Sequence, residues 1–293
     1  MPTHCRLKLS GIRIMFFNHL FFSLLLFTAC TTSTGTSFLP GIAGYNEKEK
    51  KVFILPKKLL EISGHIMMGD EKTAAINDED GKLFVFQLGN KNDTIQTTRF
   101  AGKGDYEDIV KVQNYYYILE SNGDLHYFMP GTGIKTHQYK FSREHKIEFE
   151  SLVHYAHENK LILITKDHRF GKDAIYAYSF DLSTKLFSDT PYFMLPMKDV
   201  YLKLKDYSVE CKPSGASIHP ILNKLFIIAS VGKVLLQCSL DGKVEKAHQL
   251  NPSQFQQPEG ISFASNGDMY ISNEGLEGKA TMLRFPYKQI PNP

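Results

Sequence analysis

The segment Pro258-Glu-Gly-Ile-Ser262 has four counterparts earlier in the chain, and together they determine the fold. The counterparts are Ile62-Ser-Gly-His-Ile66, Tyr106-Glu-Asp-Ile-Val110, Phe149-Glu-Ser-Leu-Val153 and Pro213-Ser-Gly-Ala-Ser217. The second residue of each segment anchors the alignment, which gives the set Ser63, Glu107, Glu150, Ser214 and Glu259. These anchors follow one another at spacings of 44, 43, 64 and 45 residues. Three nearly equal intervals and one longer interval indicate an array of repeated units.

Each repeated unit predicts a set of short antiparallel strands. After the anchored strand comes a second strand rich in β-branched and aromatic residues, as in Tyr115–Leu119 and Lys224–Ile228. A third strand follows, as in Leu125–Phe128, and then a weaker fourth strand. Turn pairs such as Asn122-Gly123 connect the strands, because these residue types accept the positive φ of tight hairpins.

Four antiparallel strands in about 44 residues, repeated along the chain, are typical of a β-propeller. We therefore predict an all-β propeller of five four-stranded antiparallel blades. The last unit supplies only three strands, and we expect the N-terminal segment Val52–Leu55 to add its fourth and close the ring. An insertion of about 20 residues, Asp199–Cys211, leaves a degenerate sixth blade as the alternative.

The N-terminal residues are typical of an export signal. Basic residues precede the apolar run Leu20–Phe27, and Phe27-Thr-Ala-Cys30 resembles the lipobox at which a bacterial lipoprotein is cleaved and lipidated. We predict a signal peptide over 1–29, a lipidated Cys30 with a tether over 30–47, and one propeller domain over 48–290. An ordinary signal peptide, and a start at Met15, are the alternatives. These segments predict a bacterial cell-envelope protein that is attached to a membrane by lipid.

Composition excludes several classes of protein. The hydrophobic content of 42% is too high for a disordered chain, and 4 cysteines are too few for a disulfide-stapled miniprotein. The formal charge of +3 comes from 34 basic and 31 acidic residues. Three of the basic residues, Arg6, Lys8 and Arg13, belong to the predicted signal, so the rest of the chain is balanced and gives no support for nucleic-acid binding. We expect Cys211 and Cys238, at opposite ends of one blade, to be unpaired.

Polar residues recur at one end of the predicted channel, which we call the upper mouth. In a propeller blade the first strand lines the axis and runs antiparallel to the second, so first strands begin where second strands end. The anchors Ser63, Glu107, Glu150, Ser214 and Glu259 begin the first strands, and carboxylates that include Asp78, Asp167 and Glu274 end second strands. The sequence thus predicts an acidic face that binds a ligand.

Crowded carboxylates must be stabilised by other groups, because mutual repulsion and burial both disfavour their charged form. In one interpretation each anchor glutamate caps the backbone amides of the neighbouring blade. In another, the carboxylates bind a hard cation such as Ca²⁺, for which oxygen ligands are suited. The candidate metal ligands are Asp78, Glu107, Glu150, Asp167, Glu259 and Glu274. Basic residues at this mouth are few, chiefly Lys166 and Arg169.

The last two units resemble the SdiA-regulated family of bacterial envelope propellers. The resemblance rests on Gln257-Pro-Glu-Gly-Ile-Ser-Phe263 with Asn266–Glu274, and on Ser214-Gly215, Leu225–Ser230 and Leu240–Val244 before them. It spans about residues 58 to 288, although Asp108 and Ser151 replace the family's usual glycine. The resemblance implies a propeller fold and an envelope location, without an established activity.

Two functions remain open from the sequence. The first is a non-catalytic binding or scaffolding module, tethered at Cys30, whose acidic mouth holds a small ligand or an envelope protein. The second is a Ca²⁺-dependent hydrolase of phosphoesters or lactones at the same mouth. The sequence contains no nucleotide-binding loop, zinc-spaced Cys/His set or nucleophile elbow that would name another class of enzyme.

Overall fold

The computed structural model describes residues 42–69, 71–90, 94–131, 133–142, 147–167, 171, 173–275 and 278–289. The predicted signal peptide, Cys30 and Arg169 lie outside these ranges. The strands in chain order are β1 (Lys51–Ile54), β2 (Ile62–Met67), β3 (Lys72–Asn77), β4 (Asp80–Gln87), β5 (Gln96–Lys103), β6 (Tyr106–Val112), β7 (Tyr115–Glu120), β8 (Leu125–Phe128), β9 (His137–Tyr139), β10 (Glu148–Tyr155), β11 (Lys160–Asp167), β12 (Ala174–Asp181), β13 (Leu186–Phe187), β14 (Phe193–Pro196), β15 (Lys212–His219), β16 (Lys224–Val231), β17 (Val234–Cys238), β18 (Val244–Gln249), β19 (Pro258–Phe263), β20 (Met269–Asn273) and β21 (Thr281–Phe285). An α-helix, α1 (Met197–Leu204), follows β14, and short 3₁₀ turns occur at Glu47–Glu49, Lys57–Leu59 and Ala156–Glu158.

These strands form five antiparallel sheets within the described ranges, one for each repeated unit, and this confirms the five-bladed propeller. The first blade is β2–β5, the second β6–β9, the third β10–β14, the fourth β15–β18, and the fifth β19–β21 with β1. The first strands of the blades contact one another in a closed ring, in the order β2, β6, β10, β15, β19 and back to β2. They surround a central channel.

The core of the molecule lies between the blades. Five clusters of buried hydrophobic side chains occur among the described residues, and each joins two neighbouring blades. In the cluster between the third and fourth blades, for example, Ile162 and Ile164 of β11 accompany Leu225 and Ile227 of β16. The inner strands of a blade, such as β11 and β16, are therefore mostly apolar and buried, whereas outer strands such as β5 and β18 are largely polar and exposed.

The N-terminal strand closes the ring, as predicted. β1 pairs antiparallel with β21, with Val52 opposite Leu283 and Phe53 opposite Met282. Tyr45 forms a further antiparallel bridge with Tyr287. The fifth blade is therefore built from both ends of the domain.

The long interval between the third and fourth anchors does not form a sixth blade in the described part of the chain. Instead, the outer strand of the third blade is split, because β13 and β14 both pair with β12. Helix α1 then packs Met197 and Val200 into the cluster between the third and fourth blades. Within the described ranges, no helix has the length and apolar character needed to cross a bilayer.

Both described cysteines are free, as expected. Cys211 and Cys238 are buried in the cluster between the third and fourth blades. Burial raises the pKa of the Cys211 thiol to about 12, which makes its reactive thiolate form rare at neutral pH.

Candidate functional site at the upper mouth

All five anchors lie in the same local structure, a shift of register at the start of the first strand. Glu107 lies between the pairs Tyr106–Glu120 and Asp108–Leu119 and has no partner of its own on β7. Corresponding shifts surround the remaining anchors Ser63, Glu150, Ser214 and Glu259. A bulge of this kind bends a strand and redirects a side chain. The repeated motif is therefore a β-bulge that begins each first strand at the upper mouth.

The two serine anchors link neighbouring blades. The Ser63 hydroxyl donates to the carbonyl oxygen of Tyr106 at 2.7 Å, and the Ser214 hydroxyl donates to the carbonyl oxygen of Pro258 at 2.6 Å. In both cases the acceptor directly precedes the next blade's anchor. Both serines are buried, and each hydroxyl joins two neighbouring blades. Ser214 also lines the recess described below.

The three glutamate anchors make different contacts. The Lys166 ammonium, at the end of β11, donates to Glu150 Oε1 and lies 3.7 Å from Glu148 Oε1. Glu107 and Glu150 are hydrogen-bonded to each other. Glu259 accepts a hydrogen bond from the Ser230 hydroxyl at 3.2 Å. We call Glu107, Glu150, Glu259 and Lys166 the mouth cluster.

Burial and mutual repulsion change the protonation of the mouth cluster. Burial raises the pKa of Glu107, and the neighbouring Glu150 raises it further. Burial also raises the pKa of Glu150, although the charge of Lys166 opposes this shift. The pKa of Glu259 rises to about 8, because the group is buried and lies near Glu150. Bound protons and one ammonium thus neutralise much of the predicted negative charge at pH 7.

The amide cap that the sequence assigned to the anchor glutamates is made by the following residue, Asp108. Its buried carboxylate accepts the backbone N–H of Ile109 at 2.8 Å through Oδ1 and that of Leu152, in the next blade, at 2.8 Å through Oδ2. Within the described ranges Glu107 accepts no backbone N–H, so at this blade the cap expected of the anchor is made by Asp108 instead. Glu107 lies in the bulge and Asp108 lies just after it, so the two side chains point in different directions.

The other predicted metal ligands separate into two groups. Asp78 and Glu274 lie near each other, and burial followed by nearby carboxylates raises the pKa of both; Gln257 donates to Glu274. Asp167 instead accepts a hydrogen bond from Lys212 at 2.9 Å.

The donor set does not fit the predicted calcium ion. No group of three or more His, Cys, Asp or Glu side chains in the described ranges is arranged to hold a metal ion. Glu150, the most buried anchor carboxylate, is bonded to the Lys166 ammonium. The cation next to these carboxylates is therefore supplied by the protein itself.

A recess of about 550 Å³ opens beside the mouth cluster. Its lining includes Glu150, Glu259 and Lys166, together with two lysines that sequence analysis missed, Lys212 and Lys233. Lys233 donates to the carbonyl oxygen of Ser230 at 2.7 Å. Lys212 begins β15, two residues before the anchor Ser214, so its place in the repeat could have identified it as a residue of the upper mouth. No sequence pattern could have identified Lys233, because it lies in the turn between β16 and β17, and the path of this turn over the mouth depends on tertiary structure.

A second recess, of about 220 Å³, adjoins the first and shares Lys166 and Lys212 with it. Tyr201 of α1 and Tyr207 after it contribute aromatic side chains to its wall. The insertion between the third and fourth blades thus extends the upper mouth sideways.

No protein-family model and no curated protein matches this sequence. Among solved structures, the chain is similar to the glutaminyl cyclase of Myxococcus xanthus, with 12% identity and a TM-score of 0.56 over 82% of this chain and 96% of that one. It is also similar to regucalcin, a calcium-binding protein of Agrobacterium tumefaciens, with 10% identity and a TM-score of 0.51 over 82% of this chain and 96% of that one.

A third similar structure is a Bacteroides thetaiotaomicron protein of unknown function, with 12% identity and a TM-score of 0.53. The match covers 77% of this chain but only 60% of that protein's chain. Identities this low show the fold alone. The chain is, in its architecture, a β-propeller.

Proposed function

We propose that this protein is a binding module whose upper-mouth recess holds a small polar ligand with a cationic group. The supporting observation is the difference between its anchors. In two blades a serine hydroxyl at the anchor position is enough to join neighbouring blades. The other three blades place carboxyls there, and Glu150 has only 5% of its side chain exposed. Burying carboxyls is costly, and joining the blades does not require it.

Glu259 is the residue best suited to hold a cationic group. It lines the 550 Å³ recess, and within the described ranges it accepts a hydrogen bond from the neutral hydroxyl of Ser230 and forms no ion pair with a lysine. Glu150 and Asp167, by contrast, already have lysine partners. A ligand ammonium that reaches Glu259 would favour its ionised form, which burial disfavours.

The proposal includes an anchor at the membrane. Lipid on Cys30 would attach the module to a bacterial membrane in the cell envelope, with the segment up to residue 47 as a tether. The ligand would then be a small molecule of that compartment or an exposed group of an envelope protein.

The hydrolase alternative receives less support from the upper mouth. A Ca²⁺-dependent mechanism needs several oxygen ligands around one ion, and the mouth cluster has an ammonium among its carboxyls. Regucalcin is described as calcium-binding, but at 10% identity it shares only the fold. Binding without turnover is therefore the function that the geometry favours.

Thermal melting and calorimetry with defined probes test this proposal. Putrescine, arginine and CaCl₂ are titrated into the protein, and we expect one or both amines to raise the melting temperature. Glu259→Gln should weaken amine binding by about tenfold, equivalent to ~1.4 kcal/mol. Glu245→Gln, which alters a lysine-paired glutamate on the outer strand β18, serves as the matched control and should bind normally.

Two results would contradict the proposal. One is the absence of any amine effect on a folded protein. The other is turnover of a phosphoester or lactone substrate that requires CaCl₂ and disappears in Glu150→Gln, which would favour the hydrolase.

A further inference from the structure

The outer edge of the fifth blade exposes apolar side chains. β1 is the last strand of that blade's sheet and has β21 on one side and no strand on the other within the described ranges. Val52 and Ile54 alternate with Phe53 along β1, so they share one face of the strand. Phe53 is buried, whereas Val52 is 52% exposed and Ile54 is 63% exposed. We call residues 46–58, which are β1 and the chain on either side of it, the edge segment.

The edge segment is positively charged on a domain that is otherwise negative. Its formal charge of +3 comes from two glutamates, Glu47 and Glu49, and five lysines, Lys48, Lys50, Lys51, Lys57 and Lys58. Residues 30–293 contain 31 basic and 31 acidic side chains, so the part outside the edge segment has 26 basic and 29 acidic side chains and a formal charge of −3.

Most of these lysines have no carboxylate partner. Lys51 pairs with Glu71 of the first blade at 3.1 Å. The other four form no ion pair with any described residue, and three of them are exposed while Lys50 is half-buried. The four lysines flank the exposed apolar residues, because Lys48 and Lys50 precede β1 while Lys57 and Lys58 lie in the 3₁₀ turn after it.

The glutamates of the edge segment are already engaged elsewhere. Lys288 donates to Glu49 Oε1 at 2.5 Å, and the side-chain amide of Gln254 donates to Glu47 Oε1 at 2.6 Å. These contacts hold both carboxylates away from the four free lysines. An external anion would therefore meet these lysines without displacing a carboxylate of the protein.

The chain enters the domain close to this edge. The first described residue, Ile42, is buried in the cluster between the fourth and fifth blades, and β1 begins nine residues later. Residues 30–41 can span at most about 43 Å when fully extended. If Cys30 carries lipid, as proposed above, the side of the domain around Ile42 is the one held next to the bilayer.

Charge distinguishes the partners that could cover this edge. A second copy of the chain could pair its own β1 with this one, because an edge strand presents unpaired N–H and C=O groups. An antiparallel pair of this kind would set the lysines before one β1 opposite the lysines after the other, and like charges placed opposite each other are destabilising. An anionic bilayer attracts the lysines and accepts apolar side chains at its interface.

We infer that the edge segment docks on an anionic lipid surface, with its four free lysines on the phosphate groups and with Val52 and Ile54 in the interface. This goes beyond attachment by a tether, because the folded domain itself contacts the bilayer. It depends neither on lipid at Cys30 nor on the ligand of the upper mouth. Since β1 lies on the outer rim of the ring, docking here leaves the upper mouth open to one side.

Vesicle sedimentation tests the inference with a chain that begins at Thr31, which lacks Cys30 and retains all five sheets. Vesicles of phosphatidylcholine with phosphatidylglycerol should bind this protein, and vesicles of phosphatidylcholine alone should bind it at least about tenfold more weakly. Lys57→Gln/Lys58→Gln should weaken binding to the anionic vesicles by about thirtyfold, or about fivefold for each lysine. Putrescine binding at the upper mouth should be unchanged in this variant, so the two proposals can fail separately.

Lys135→Gln/Lys140→Gln is the matched control. It removes two exposed lysines that flank β9, the outer strand of the second blade, and it should bind the vesicles as the unaltered protein does. Ile54→Thr tests the apolar contribution, because it keeps the β-branched shape. The change should leave the melting temperature nearly unaltered at so exposed a position, while vesicle binding weakens several-fold.

Four results would overturn the inference. They are the absence of saturable binding to the anionic vesicles, an equal loss of binding in the control pair, full binding by Ile54→Thr, and a dimer in solution that Lys57→Gln/Lys58→Gln strengthens. The third result would mean that the lysines bind any polyanion, and the fourth would assign the edge to a second copy of the chain.

Discussion

The two ends of the channel are built from the same five strands and have opposite chemistry. The upper mouth collects carboxyls and lysines at the bulged starts of the strands, whereas the opposite end of the channel is lined mostly by apolar side chains, with His65 buried beside them, from later positions. Burial drives both ends toward neutrality. It raises the pKa of Glu259 and lowers that of His65. The comparison shows that the position of a residue along its strand determines which end of the channel it reaches and hence the polarity of that end. Burial, in contrast, determines whether the titratable groups at each end are charged.

The largest loss of stability should come from a substitution in the narrow part of the channel, between its two ends. In Gly260→Ala, the added Cβ would lie 2.5 Å from His65 Nδ1 and 2.8 Å from the carbonyl oxygen of Ser63. Because the strands of two blades approach each other here, we expect a loss of about 4 kcal/mol, enough to prevent folding of a marginal protein. Expression followed by denaturant unfolding measures it.

Gly102→Ala is the control for this substitution. No atom lies within 4 Å of the position of its added Cβ, so unfolding should be unchanged within about 0.5 kcal/mol. A Gly260→Ala protein as stable as the control would show that the ring is wider than described.

The second effect is a loss of stability as pH rises, and it belongs to the upper mouth. A carboxyl whose pKa is raised in the folded state stabilises the fold fully below its usual value of 4.5, and this contribution is lost as pH rises through about 8 for Glu259. Glu107 and Glu150 act in the same direction. Glu259→Gln should flatten the decline by up to about 4 kcal/mol between these limits, as measured by melting at fixed ionic strength.

Lys166→Met provides the opposing measurement at the same place. Without the ammonium that lowers the pKa of Glu150, the alkaline loss of stability should become steeper. A pH profile identical to that of the unaltered protein in both variants would disprove the coupled cluster.

The third and smallest effect is a loss of stability as pH falls, and it belongs to His65, which is buried where the first and fifth blades meet. The depressed pKa of His65 means that its contribution is present above the usual value of 6.5 and is lost as pH falls through about 4. We expect a loss of about 2 kcal/mol by pH 5. In His65→Gln, the profile over this range should be flatter, because Gln does not titrate.

His219, whose pKa is also lowered to about 4 by burial, should produce a residual acid loss in His65→Gln. An acid limb unchanged by His65→Gln would mean that His65 is accessible to water.

The sequence was sufficient for the architecture because the repeat leaves a signal in every blade. Anchor spacing predicted the number of blades, and the missing strand of the last unit predicted the pairing of β1 with β21. It could not predict the split outer strand of the third blade, since β13 and β14 are short and both pair with β12. Short strands of this kind have too few residues to show a period.

The candidate site was predicted less completely. The anchors were identified as the residues of the upper mouth, but their different roles were not, because Ser63 bonds a backbone carbonyl while Glu150 bonds a lysine. Such partners come from neighbouring strands or blades, at distances in the chain that no local pattern encodes. The burial of His65 between two blades was missed for the same reason, since it is visible only when every neighbour is known.

The closure of the ring by β1 also has a consequence for synthesis. β1 is made first and its partner β21 last, so the fifth blade has no complete sheet until nearly the whole domain has left the ribosome. Pairing between segments so distant in the chain is slow to form. Until then, β1 and the edge of β21 remain open to pairing with other chains, a hazard typical of incompletely folded β-proteins.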